Sequence, residues 1–139
     1  MECYEGMFID CTSLTAVPTL PATGVSYRCY SAMFQGCTSL SSVPNNLLPA
    51  TNLTHGMYCY QQMFSGCTAL RNAPELPATV LFDSCYTFMF VDCTSLTAAP
   101  SLPATELANG CYFQMFNGCS NLSSIEVAFT DWKTNKRST

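Results

Sequence analysis

Cys29-Tyr30-Ser31-Ala32-Met33-Phe34-Gln35-Gly36-Cys37-Thr38-Ser39-Leu40 is the stretch that decides the fold, because the chain writes it five times. The pattern Cys-Tyr-x-x-Met-Phe-x-x-Cys begins at Cys3, Cys29, Cys59, Cys85 and Cys111, with starts 26, 30, 26 and 26 residues apart. Four copies run on through Leu and Pro into Leu-Pro-Ala-Thr, first at Leu20-Pro21-Ala22-Thr23. A period in this range marks a solenoid, in which each unit buries its apolar face only against its neighbours.

Within the second unit Val25, Cys29, Met33 and Cys37 fall every four residues, with Tyr30 and Phe34 beside two of them. Read as an apolar stripe, this spacing predicts a short amphipathic helix. Thr23, Thr51, Thr79 and Thr105 stand ahead of it as N-caps. Gly36, Gly66 and Gly118, or Asp10 and Asp92, stand where it must end. The stretch Thr38 to Val43 then reads as a strand that Pro44 terminates, since proline cannot donate to a ladder. The expected architecture is an α/β repeat. About five coils form a solenoid, with short parallel strands on one face and short helices on the other.

Stacking the coils places like on like. Leu14, Leu40, Leu70, Leu96 and Leu122 form one expected buried ladder, and Phe8, Phe34, Phe64, Phe90 and Phe116 another. The methionines and tyrosines supply two more. The solenoid is assigned to 1–125, and 126–139 to a remnant of a C-terminal cap or a flexible tail, with Val127, Phe129 and Trp132 able to close over the last coil. The second unit is longer, by Asn45-Asn46 and within Asn52 to Tyr58, and insertions in repeat arrays emerge as surface loops.

Composition narrows the function classes. Apolar residues make up 48% of the 139 residues, enough for a continuous core, while charged residues are only 10%, so Ser, Thr and Asn must supply the wet surface. A net charge of -4 is the wrong sign for a nucleic-acid binder, which replaces counterions with a basic face. No apolar run approaches the roughly 18 residues of a membrane span, and because Met1 leads into the first repeat after one residue, no signal peptide is expected.

The run Phe34 to Leu40 (Phe-x-Gly-Cys-Thr-Ser-Leu), followed by Pro and by Leu-Pro-Ala-Thr, resembles the BspA-type leucine-rich repeats of bacterial surface proteins, in their Cys-rich variety. The resemblance covers about residues 3 to 125, and the ending Ala128 to Trp132 is similar to segments that close such arrays. It implies a curved leucine-rich-repeat solenoid. It further implies an adhesion role for the parent protein, located outside the cell or at its surface, or on a phage particle. It carries no catalytic motif.

Ten cysteines raise the question of chemistry. Zinc sites want close cysteine pairs with further ligands at hand, whereas these pairs are eight residues apart and His55 is the only histidine. Parallel strands about 4.8 Å apart bring equivalent cysteines within reach of a disulfide, but with parallel side chains that miss the required torsion. Buried free thiols are therefore expected, each a small hydrophobe. No base recurs beside a cysteine, so no enzyme, cofactor or metal site is expected.

Binding is left to the positions that vary over the constant frame. On the strand face these are Arg71, the one charge among the exposed pairs, and Asn72, its best hydrogen-bonding amide. On the approach to the Cys-Tyr segment they are Tyr27, Arg28, His55, Tyr58, Phe82 and Asp83, whose aromatics suit a protein anchor. The expected partner is a protein or glycan on a cell surface, with no nucleic acid and no membrane span. The runner-up reading is a structural or assembly element that stacks through uncapped solenoid ends.

Overall fold

A computed structural model describes residues 4–131. The Cys-Tyr-x-x-Met-Phe-x-x-Cys segments are not helices. They are ribbons of overlapping turns, at 4–11, 29–37, 59–67, 85–93 and 111–119, and among the described residues there is no helix at all. Two hydrogen-bonding patterns alternate along each ribbon. In the second, the amides of Cys29, Ser31, Met33, Gln35 and Cys37 each donate three residues back within the coil, at 3.1 to 3.3 Å. The amides between them leave the coil: Tyr30 donates to Cys59 C=O at 2.9 Å, Ala32 to Gln61 at 2.7 Å and Phe34 to Met63 at 3.0 Å. Every second amide thus pairs with the next repeat, as in a sheet, and the others close turns. An α-helix commits all of its interior amides to itself and could not stitch neighbouring coils in this way.

The period of four is the reason. A helix turns about 100° per residue, so a side chain recurring every fourth residue drifts about 120° over twelve residues and leaves the core face. The turn ribbon repeats in fours and keeps Cys29, Tyr30, Met33, Phe34 and Cys37 pointing inward together, all buried. Its signature is a left-handed backbone at every fourth residue: Arg28, Ala32 and Gly36 at φ 52°, 53° and 72°, then Tyr58, Gln62 and Gly66 one coil on. Positive φ at the third position of a turn costs a non-glycine residue roughly 1–2 kcal/mol, offset here by four or five backbone bonds at each ribbon junction. With no helices to cap, the four threonines have no such role.

Between ribbons the chain is extended but does not form a continuous sheet. Among the described residues parallel pairing is limited to single bridges, Asn52 with Val80, Asn72 with Ala98 and Leu102 with Val127. The expectation of helices on one face and strands on the other is therefore overturned on both faces. Prolines explain the second. Pro44, Pro74 and Pro100 interrupt equivalent stretches and remove the donors a ladder needs.

What the repeat does fix is the core. Tyr30, Tyr60, Tyr86 and Tyr112 stack with ring centroids 5.5 to 5.9 Å apart and planes within 10°. Phe8, Phe34, Phe64, Phe90 and Phe116 stack likewise, 5.5 to 5.7 Å apart with planes within 16°. Leu40, Leu70 and Leu96 are fully enclosed, while Leu14 and Leu122 in the outer coils are half-buried. Of the insertions, Asn45-Asn46 lies exposed as expected. The second is a loop only in part: Asn52, Thr54 and His55 face solvent, but Leu53 is enclosed in the core.

Candidate recognition surfaces

The nine described cysteines are free thiols, and all but Cys11 are buried. The second cysteine of each ribbon after the first has a specific bond. Cys37 Sγ donates to Phe8 C=O at 3.2 Å, Cys67 to Phe34 at 3.1 Å, Cys93 to Phe64 at 3.1 Å and Cys119 to Phe90 at 3.0 Å. The same carbonyl accepts the amide of its own ribbon's cysteine, as Phe34 does from Cys37 at 3.2 Å, so both lone pairs are used. A thiol holding this bond must keep its proton, and burial enforces it. Desolvation pushes Cys67 up to about 12, and among the first cysteines of the ribbons it pushes Cys85 up to about 12 and raises Cys59 well above the ordinary thiol value. These thiols are poor nucleophiles by construction. Among the described residues no group of His, Cys, Asp and Glu is placed to hold a metal ion.

The variable positions ahead of each ribbon come together along one flank. Tyr27 meets Tyr58 edge to face at 6.2 Å, and the Arg28 guanidinium lies 6.0 Å from the Tyr27 ring while pairing with Glu5 at 3.0 Å. One coil further on, Asp83 accepts from the Asn109 amide at 3.0 Å and from its side-chain nitrogen at 3.5 Å. Thr87 Oγ1 donates to Gly110 C=O at 2.7 Å. Tyr58 and Asp83 line the same open groove of about 410 Å³, with Met57, Thr87, Asn109 and Phe113. Its walls combine a carboxylate and an amide with ring edges and a thioether, so it can offer hydrogen bonds and apolar contact to one ligand.

Of the residues singled out on this flank, Tyr27, Arg28, Tyr58 and Asp83 lie in this run of contacts. His55 is exposed in the second-unit insertion, and Phe82 is half-buried; neither lines the groove. On the other face Arg71 is exposed, with its backbone bonded to Ser41 and Thr97. Asn72 gives its side-chain amide to Val43 C=O at 3.2 Å, so that donor is spent within the array. Met57, Thr87, Asn109 and Phe113 went unread in the sequence. The signal for Asn109 was available: it stands 26 residues after Asp83, one period on.

The segment after the last ribbon is also placed. Val127 is bridged to Leu102 and remains partly exposed, whereas Phe129 is only 4% exposed and stacks on Tyr112 at 6.1 Å. Trp132 lies outside the described residues.

No family model matches the chain. No curated protein is a significant match. Among solved structures, a leucine-rich cell surface protein from Faecalibacterium prausnitzii is similar over 87% of this chain, at 19% identity and a TM-score of 0.39. The chain spans 33% of that protein's length, and a likeness at this level of superposition carries no argument about either shape or role.

Proposed function

We propose that this chain is a non-enzymatic recognition module of a bacterial surface or phage structure, an adhesin-type repeat that engages a protein or glycan through its flank. One observation carries the reading. The columns of cysteine, tyrosine, methionine and phenylalanine are constant, whereas the adjoining flank changes from Tyr27-Arg28 to Met57-Tyr58, Asp83-Ser84 and Asn109-Gly110, and part of it opens into a groove. Side chains that vary on a rigid frame are free to specify a ligand, and array copies multiply weak contacts through avidity. The resemblance to BspA-type repeats agrees with a place at the surface.

Immobilised protein presented with extracellular-matrix proteins, bacterial cells and a panel of glycans tests this. Retention of one class is expected, reduced about tenfold by Tyr58→Ala or Asp83→Ala with thermal stability unchanged. Retention of nothing, or retention that ignores both substitutions, rejects the reading.

A second reading, assembly through the ends of the stack, is favoured by a separate observation. The amides of Tyr112, Gln114, Phe116 and Gly118 donate to nothing among the described residues.

A further inference from the structure

Each ribbon but the last spends its alternate amides on the carbonyls of the next. At the fourth junction Phe88 donates to Phe113 C=O at 3.0 Å, Phe90 to Met115 at 2.9 Å and Asp92 to Asn117 at 2.8 Å. Among the described residues the fifth ribbon therefore ends the stack with a row of donors that meet no acceptor. The first ribbon begins it with the complementary row, because the carbonyls of Glu5, Met7 and Ile9 accept from no described residue. The thiol and aromatic columns are open in the matching sense. Among the described residues Phe116 C=O takes the amide of Cys119 but no thiol, and Cys11 is the one exposed cysteine, with no phenylalanine carbonyl ahead of it. Tyr4, Met7 and Ile9 are 45%, 56% and 46% exposed over an apolar hollow that Phe8 and Leu20 help line.

These two ends fit each other and neither fits itself. Donors facing donors, or carbonyls facing carbonyls, gain nothing, so a head-to-head pair is disfavoured. The side chains agree with a head-to-tail junction. Gly118 against Asp10 repeats the order of Gly66 and Asp92 inside the array, and the fifth ribbon from Asn109 to Cys119 carries no charge that the first could repel.

One residue stands in the way. Counting from the Leu102–Val127 bridge, Phe129 stands level with Ala104. Ala50, Ala78 and Ala104 are small and buried, and the tyrosine of the following ribbon completes the column. Phe129 puts its own ring on Tyr112 instead, in the place where another Tyr would stack.

We propose that the fifth ribbon is a docking edge for the first ribbon of a second copy of this chain, and that Phe129 is the stopper that closes it. The proposal rests on the assembly reading and adds its direction, its partner and its control. Gln114, Phe116 and Gly118 donate to the second copy's Glu5, Met7 and Ile9 carbonyls. The second copy's Cys11 thiol donates to Phe116 C=O, and its Tyr4 takes the slot that Phe129 vacates. A head-to-tail contact of this kind does not close on itself, so it grows open rods.

The test is sedimentation of the full chain from micromolar to millimolar concentration. It compares wild type, Phe129→Ala, a chain ending at Ser124, and Phe129→Ala combined with Met7→Glu and Ile9→Glu. The last pair buries unpaired charges at the acceptor end. Slow reaction of the buried thiols checks that each variant is folded. Wild type should stay predominantly monomeric, Phe129→Ala and the shortened chain should form concentration-dependent linear oligomers, and the triple variant should return to monomer. If wild type and Phe129→Ala assemble equally and the glutamates return the Phe129→Ala chain to monomer, end-stacking stands and the stopper is wrong. If folded Phe129→Ala and the shortened chain remain monomeric throughout, or the glutamates leave assembly unchanged, the docking edge itself is rejected.

Discussion

The ribbon side and the proline side of each coil are built from the same chain but held in different ways. At each ribbon junction four or five backbone bonds, two stacked rings and a buried thiol bond cross from coil to coil. Across the proline side of the second and third coils the backbone bonds are sparse, such as Arg71 to Ser41 at 3.1 Å and Glu75 to Asn45 at 2.9 Å. The difference teaches where stability and variability are separated. The ribbon is a sheet edge and an aromatic stack combined, so its residues must recur. The proline side holds through buried Leu, with Pro74 and Pro100 also buried, and leaves its outward residues free to change.

Alkali should break this comparison most strongly, because the buried ionisable groups lie in the ribbons. Cys67 and Cys85 titrate at about 12 in the folded chain against an ordinary value of 9, and burial raises Tyr60 and Tyr86 as well. In the unfolded chain the thiols ionise first, so between pH 9 and 12 the unfolded state binds fewer protons and stability falls as pH rises. Their contribution is fully present below pH 9. At about 1.4 kcal/mol per pH unit for each thiol, these two alone remove roughly 5 kcal/mol between pH 9 and pH 11. Urea midpoints should show no loss from these thiols below pH 9 and decline steeply above it. A midpoint unchanged to pH 11 would contradict the buried-thiol account.

Single core truncations come next. Phe64 is fully enclosed between Phe34 and Phe90, so Phe64→Ala should cost about 3–5 kcal/mol. Arg71→Ala on the proline side should change stability by no more than about 0.5 kcal/mol. Chemical denaturation of both variants checks the contrast, and similar costs would erase the distinction between the two sides.

The outcome of reading the sequence follows the same division. The ring, leucine and thiol columns were legible because equal spacing forces equal positions in any stacked repeat. The ribbon's backbone was misread because Cys29, Met33 and Cys37 satisfy the approximate period of a short helix. The distinguishing sign was that four held without correction over three steps, where a helix needs threes and fours mixed. Asp10 and Asp92 in place of glycine carried the second sign, a left-handed position that tolerates Asp. The flank groove was half legible. Its residues vary, so no column announces them, and Thr87 and Phe113 join it only because the turn ribbon places them along the groove wall.

Thiol chemistry separates packing from bonding within the ribbon. Cys67→Ala removes the S–H donor to Phe34 C=O as well as volume, whereas Cys67→Ser keeps a donor in the same place. The alanine variant should lose about 2 kcal/mol, and the serine variant should recover part of it, the hydroxyl bond being worth about 1 kcal/mol. Native protein should react with thiol reagent at few sites, and denatured protein at all ten cysteines. Five disulfides found by mass would refute the S–H ladder outright.

The smallest effect sharpens the comparison within the ribbon itself, at two glycines in equivalent places. Gly36 and Gly66 both have positive φ, 72° and 75°, so alanine at either is strained by roughly 1 kcal/mol. Their neighbours differ. A methyl group on Gly36 would stand 2.0 Å from the Asp10 carboxylate oxygen, but on Gly66 it would meet only the Gly36 backbone at 3.6 Å. Gly66→Ala should therefore show the conformational cost alone, and Gly36→Ala that cost plus about 1 kcal/mol for moving Asp10. Adding Asp10→Gly to Gly36→Ala should return the cost to the Gly66→Ala value. If it does not, the coils are not stacked in the register that places Asp10 over Gly36, and the ribbon junctions must be aligned differently.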